Sequence, residues 1–489
     1  MPVRVDRIVV SDFRAFPALA PADIRVGGCN LLVYGENGSG KSSIYRALRG
    51  LFSTEEQDIL PSRNVFTDPP QPYVRVTLTD GRELSWSAAG HPGPGVHDIA
   101  RRSAFLSHTR LTEMNTGATP DDRPNLFKVA VERLLADYEA TIDGTGRTVG
   151  QLWTALHEAL ARREQYAGKS GLRRYRDHAQ VVEGALARFN DGMRQAIAAL
   201  EGHAKALLRR LLDVFGRDSL DLIGLTYFDV TYDRKTDKLG NQTLTAQVRF
   251  RTYDPGAPQR FLNEGRQSAL AISIYLAGRL ASVPVNDDLR LLVLDDLLIS
   301  LDHSHRRPVL DVVADSFKGW QIVLLTHDRF WFEMAREQLL NDPWRSIEIY
   351  ENTDGDGLLR PIVWESADNL VDETLKQASH FLQTNQPAAA ANYARTACEL
   401  TLRRYCKNHG IQFAYTDEPK KIKLDELLRH AEAHGAGDAV HVAAFKEVKR
   451  YKKLILNPLS HDPTQPVSSA DVQAAILAVK GLVKVCKRP

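Results

Sequence analysis

The sequence predicts an α/β domain split by a helical insert and followed by an all-α domain, on three observations. A short apolar run, Asn30-Leu31-Leu32-Val33-Tyr34, leads into Gly35-Glu36-Asn37-Gly38-Ser39-Gly40-Lys41-Ser42 and then into a helix start at residues 43–49. A second apolar run, Leu291-Leu292-Val293-Leu294, ends in the paired carboxylates Asp295-Asp296. Between these two runs, and again after residue 366, apolar residues recur at helical spacing.

In chain order, residues 4–10 alternate as a strand and Asp12-Phe13-Arg14-Ala15-Phe16 turns a corner. Residues 31–34 form a buried strand. From Tyr73 to Trp86 apolar and polar residues alternate around Asp80-Gly81, a tight-hairpin dipeptide. Residues 90–95 make a Pro/Gly loop, and 103–108 another strand with polar residues at its exit. This N-terminal lobe covers 1–124. Residues 125–215 read as a helical insert with at most a short coiled-coil arm, Gly144 and Gly146 separating its first two helices. The insert holds none of the loop or carboxylate residues, so it is expected to be modular. A C-terminal lobe, 216–365, starts with strands at 225–232 and 244–252. From Leu262 it alternates helix and strand, as in a parallel sheet with covering helices. Residues 366–489 are helical throughout and carry 18 Lys/Arg against 13 Asp/Glu. Lys446, Lys449, Arg450, Lys452 and Lys453 crowd one of these helices, either as solvated surface or as a face for a polyanion such as RNA.

At 489 residues the chain has room for two to four domains of roughly 100–200 residues each. Its 43% hydrophobic and 25% charged residues are ordinary for a globular protein, and a net charge of +2 demands no polyanionic partner. No apolar run approaches the ~18–20 residues of a membrane span, and the first residues lack a basic-then-apolar pattern. A cytoplasmic location without a membrane partner is therefore expected. Cys29, Cys398, Cys406 and Cys486 form no C-x-x-C pair and read as reduced thiols.

The glycine stretch fits G-x-x-x-x-G-K-[ST] in full. Gly35, Gly38 and Gly40 let backbone N–H groups of the loop, with Asn37 and Ser43, curl around phosphates at a helix N-terminus. Lys41 then reaches the β/γ-phosphates and the Ser42 hydroxyl ligates Mg²⁺. The pattern points to a nucleoside triphosphate with Mg²⁺. Asp295 and Asp296 fall at the C-terminal end of their strand, where ligands sit in open α/β sheets. There Asp295 would hold Mg²⁺, and Asp296 would orient or deprotonate the attacking water. Ser300-Leu301-Asp302 follows, and the strand at 322–325 ends in Thr326-His327-Asp328.

The order of these motifs, with Leu262-Asn263-Glu264-Gly265-Arg266-Gln267 before the carboxylates, resembles the ABC-type ATPases of the SMC/RecF/OLD group over residues 1–365. The corner at 12–16 is similar to that group's F-R-x-F corner. The resemblance implies an ABC-type P-loop ATPase head that binds ATP and works as a homodimer or higher homo-oligomer. Asn263, Glu264 and Gly265 of one head would face the γ-phosphate held by the other. It further implies that Asp302 belongs to the dimer-contact loop, that His327 senses the γ-phosphate, and that His108 takes the metal-side position of the group's glutamine. The signature departs from Leu-Ser-Gly-Gly-Gln and the catalytic Glu is Asp296, which implies a slow, switch-like ATPase.

In the C-terminal domain Arg395 and Glu399 share a helix face at i,i+4, and Asn457-Pro458-Leu459-Ser460-His461-Asp462 ends another helix. One reading is a surface ion pair and a helix stop. The other is a ribonuclease site with His461 as acid/base and Arg395 on the phosphorane. These helices resemble the HEPN superfamily, and the ATPase fusion is similar to the anticodon nucleases PrrC and RloC, which use an Arg-x-x-x-Glu pair and a distant His. The common HEPN Arg-x(4–6)-His signature is absent. Three functions follow from these resemblances. The first is an ATP-gated ribonuclease of an anti-phage defence system, acting on RNA such as tRNA. The second is a sensor ATPase that activates a separate nuclease subunit, as in Septu systems. The third is a RecF-like DNA-repair ATPase.

Overall fold

The computed structural model describes residues 2–486 except 53–57, 93–95, 117–122, 162–170, 213–219, 284–287, 298–300, 302, 339–342, 354–358, 367–369, 412–423 and 459–467. The chain divides into two compact units, Met1–Trp364 and Glu365–Pro489.

The first unit is built on a six-stranded sheet. Its strands lie in the order Leu359–Ser366, Trp344–Thr353, Asn30–Gly35, Gln321–Thr326, Leu291–Asp295, Ser103–Ser107, and the last five run parallel. The strands Asn30–Gly35, Leu291–Asp295 and Gln321–Thr326 are buried at every position, as expected where helices cover both faces of a parallel sheet. A second, antiparallel sheet joins Ala22–Arg25, Val5–Ser11, Tyr73–Leu78 and Glu83–Ser87. Its alternating inner residues pack with Phe13, Phe16 and Trp86 against Ile44 and Leu48 of the helix Lys41–Leu51.

The insert differs from the sequence reading in two ways. Gly144 and Gly146 do lie between the first two helices, but in a hairpin that the sequence reading does not foresee. Asp143 (φ 50°) and Gly144 (φ 75°) turn this hairpin between Glu139–Ile142 and Thr145–Thr148, the Asp-Gly turn chemistry that two successive positive φ values favour. Nor is the insert a separate arm. After Phe127–Val129 and a π-helical turn Ala130–Leu134, the helices Val149–Ala161 and Gly171–Leu212 pack on each other. The second has 42 residues and runs about 63 Å at 1.5 Å per residue. Its Leu200, Ala204, Leu207, Leu208 and Leu211 enter the same core as Leu270, Ile274, Leu294 and Ile322 of the sheet and its covering helix. This shared core counts against a modular insert. The antiparallel strands Leu220–Phe228 and Thr243–Phe250 lead on to the helix Glu264–Ser282.

The second unit is helical. Leu370–Gln383, Pro387–Asn408, Leu424–His434, Ala439–Tyr451 with its π-helical continuation Lys452–Leu456, and Ser469–Cys486 surround one core. Ala390, Ala391, Ala394 and Ala397 on the second of these are fully buried, so neighbouring helices approach it closely. The basic helix face of the sequence reading is broken up. The Lys452 side chain is 4% exposed and paired with Asp425, and Lys449 reaches Glu432 at 2.9 Å. Among the described residues no helix is long and apolar enough to cross a membrane.

Candidate functional site

Strand register brings the motif residues to one edge. Thr326 pairs with Tyr34, Asp295 with both Leu325 and Ser107. The next residue on each strand is therefore Gly35, His327, Asp296 or His108, all at the C-terminal edge where open α/β sheets take ligands. His108 begins the helix His108–Thr116.

The glycine loop is shaped by its neighbours. Gly38 and Gly40 have φ of 92° and 105°. A Cβ on Gly40 would lie 2.9 Å from Phe16 Cζ, and one on Gly35 would lie 2.3 Å from Ser39 Oγ and 2.8 Å from the Ile349 carbonyl. Larger residues do not fit these places. The corner at 12–16 thus supports the loop directly, with Phe13 and Phe16 fully buried and hydrogen-bonded to each other through their backbones. The Ser43 hydroxyl accepts from the Ala15 N–H at 3.4 Å.

Lys41 is 4% exposed, and its Nζ donates to the carbonyls of Gly35 (2.5 Å) and Glu36 (2.9 Å). Burial lowers its ammonium below the ordinary value, against the opposing pull of Asp296, Asp295 and Glu36. Asp295 is 6% exposed. Burial pushes its carboxyl up to about 6, and the Asp296 charge adds to the rise, while the Ser42 hydroxyl, Lys41 and Arg46 act the other way. Its Oδ1 is buried without a hydrogen-bond partner. A buried carboxylate with an orphaned oxygen beside a serine hydroxyl fits a divalent cation, with Asp295 and Ser42 as the residues to hold it.

Asp296 and His327 form a pair that spacing alone did not show. Asp296 Oδ1 accepts from the His327 backbone N–H at 2.9 Å and meets its Nδ1 at 2.8 Å. A carboxylate only accepts, so Nδ1 carries the proton of this contact and Nε2 is the ring's other nitrogen. Asp296 has φ 50°, a conformation this double clamp maintains.

Asn263 caps the helix Glu264–Ser282, accepting from the Arg266 N–H at 3.0 Å, and both Asn263 and Glu264 are exposed. Asn263 also accepts from the Gln267 N–H through its backbone carbonyl at 3.1 Å, so these hydrogen bonds lie within its own helix start. In the second unit Arg395 Nε donates to Glu399 Oε1 at 3.1 Å, both side chains part-exposed. The helix that holds them packs on the π-helical turn Lys452–Leu456, which immediately precedes Asn457 and Pro458. His461, Ser300 and Asp302 lie outside the described residues. Among the described residues no three His, Cys, Asp or Glu side chains are grouped to hold a metal by themselves. Sequence reasoning passed over Ser39, whose fully buried Oγ sits inside the loop without a partner.

The raised Asp295 carboxyl has a stability consequence. The folded state holds this proton more tightly than the unfolded chain, whose value is near 3.8. That contribution is present at low pH and lost as pH rises through about 6, so the ionised group opposes folding at neutral pH. In EDTA near pH 7.5, Asp295→Asn is expected to be more stable than the parent by on the order of 2 kcal/mol, the gap closing below about pH 4. Denaturant melts at the two pH values measure this. A less stable variant at pH 7.5 would show that Ser42 and Lys41 fully compensate the charge.

No protein-family model matches the chain. No curated protein matches it either. Solved structures are similar to it at a distance. The Smc head domain with an extended coiled coil, bound to the C-terminal domain of ScpA, from Pyrococcus furiosus has 13% identity and a TM-score of 0.44, covering 76% of this chain and 99% of that one. The recombination mediator protein RecF with ATP has 14% identity and a TM-score of 0.45, covering 74% and 98%. The SMC head domain from Thermotoga maritima has 11% identity and a TM-score of 0.35, covering 74% and 99%.

Proposed function

We propose that the chain is a Mg²⁺-dependent ATPase whose heads pair around ATP and so control a nuclease effector, its own C-terminal unit. The observation that carries the ATPase reading is the convergence of Lys41, Ser42, Asp295 and the Asp296–His327 pair on one sheet edge. Mg²⁺, held by Ser42 and Asp295, supplies charge neutralisation on the phosphates. Lys41 places its ammonium at the loop, and the loop N–H groups cradle the phosphate chain. Asp296, held by His327 through Oδ1, keeps Oδ2 to orient and deprotonate water. His327, when protonated, donates Nε2–H to a phosphate oxygen. Asn263, Glu264 and Gly265 sit at an exposed helix start, which suits contact with ATP held by a second copy.

The Arg395–Glu399 pair supports the effector reading, with His461 as its acid/base. Alanine at any one of Arg395, Glu399 or His461 is expected to lower RNA cleavage at least about 100-fold and to leave ATP turnover within twofold. The cleavage step, run in EDTA with pre-activated protein, should need no metal. Unchanged RNA cleavage in all three variants would remove the ribonuclease from the reading. One observation favours docking of a separate nuclease instead: Lys449 and Lys452 are engaged by Glu432 and Asp425, which weakens the helix face at 446–453 as an RNA surface. Co-purification of a nuclease subunit together with inert alanine variants would favour that reading.

A further inference from the structure

Asp296 and His327 stand just beyond two neighbouring parallel strands, Leu291–Asp295 and Gln321–Thr326. One side chain ties the two chain exits together. Arg306, on the helix His303–Ser316, donates Nε–H to the Leu301 carbonyl at 2.9 Å and pairs through Nη1 with the Asp328 carboxylate. Leu301 lies five residues after Asp296, and Asp328 directly follows His327. The Arg306 side chain is 14% exposed and that of Asp328 23%, so the pair is largely withdrawn from water. The other Asp328 oxygen accepts from the Trp331 N–H at 2.9 Å and so caps the helix Arg329–Gln338. Buried Trp331 in turn donates Nε1–H to the Arg306 carbonyl at 3.3 Å.

A guanidinium serves a carbonyl and a carboxylate at once because its N–H groups point in fixed, separate directions, which a single ammonium does not reproduce. The two exits are therefore fastened twice. Asp296 holds His327 at the sheet edge, and Arg306 holds Leu301 and Asp328 further along each chain. Asp296 stands at φ 50°, a backbone conformation that persists only while its surroundings maintain it. We propose that Arg306 is a positioning residue for hydrolysis, acting through the Asp296–His327 pair and not on the phosphates. The proposal rests on the ATPase reading.

The test is a double-mutant cycle on the full chain, with steady-state turnover, equilibrium Mg²⁺-ATP binding and thermal unfolding measured for each protein. Arg306→Lys keeps a charge for Asp328 but does not also hold the Leu301 carbonyl. It is expected to lower kcat at least about tenfold and to leave KM and ATP binding within about twofold. In an Asp296→Asn background, where the charged contact to the His327 ring is already lost, the same substitution should cost less than about threefold. Asp328→Asn keeps the helix cap, because asparagine caps as well as aspartate, and should lower kcat in the same direction. Arg210→Lys is the control. Arg210 braces the same helix through Asp315 at 2.8 Å and Ser316 at 3.0 Å, and its replacement should change kcat by less than about twofold. Parent-like kcat in Arg306→Lys, or equal losses in the two backgrounds, would overturn the positioning role. Lowered melting temperature together with lost ATP binding would make Arg306 a support of the fold and overturn it too. A parent chain without ATP turnover would overturn the ATPase reading itself, an outcome told apart by the parent's own rate.

Discussion

Asp296→Asn is expected to bind Mg²⁺-ATP within a few-fold of the parent and to hydrolyse it at least about 100-fold more slowly. Asparagine keeps the size of the side chain, and its carbonyl oxygen still accepts from the His327 backbone N–H. What is lost is the base and the negative charge that fixes the His327 ring through Nδ1. Lys41, Ser42 and Asp295 are untouched, so binding survives and paired heads accumulate with ATP. Quench-flow or steady-state turnover against an equilibrium binding assay separates the two effects. His327→Ala should fall in the same direction by a smaller factor, because the backbone N–H remains. Parent-rate hydrolysis by Asp296→Asn would place the water-activating group elsewhere.

Replacing residues 149–212 by a short Gly/Ser linker is expected to abolish folding of the first unit, and nucleotide binding with it. The buried Leu200, Leu207, Leu208 and Leu211 share a core with Leu270 and Ile274, whose helix covers the carboxylate strand. Removing one buried leucine costs about 2–5 kcal/mol, and a domain's whole stability is about 5–15 kcal/mol. Leu208→Ala alone should therefore lower stability by about 2–4 kcal/mol in a denaturant melt. A linker variant that melts like the parent would show that the helices are an independent module.

Local and covalently close features were legible in the sequence. The strand, glycine loop and helix across residues 30–51 follow from an uninterrupted apolar run, a motif and a periodic segment. The placement of His327 beside the loop follows from apolar runs that each end in polar residues. The hairpin at residues 139–148 was obscured because its strands are four residues each, too short for alternation to stand out against the helical spacing on either side. The Asp296–His327 pair depends on register between two strands, and no spacing in one dimension encodes that. Lys452 reads as a surface residue among its basic neighbours. In the structure Lys452 opens a π-helical turn and its side chain is buried and paired with Asp425.

The central claim is that the loop at residues 35–42 and the carboxylates on its sheet edge form one ATP site. Equilibrium binding of Mg²⁺-ATP to the parent chain and to Lys41→Ala tests it most directly. The account predicts saturable binding to the parent and a loss of at least about 100-fold in Lys41→Ala, the removal of a charged hydrogen-bonding group from a buried site. Equal affinity in the two proteins, or no saturable binding to the parent, would contradict it.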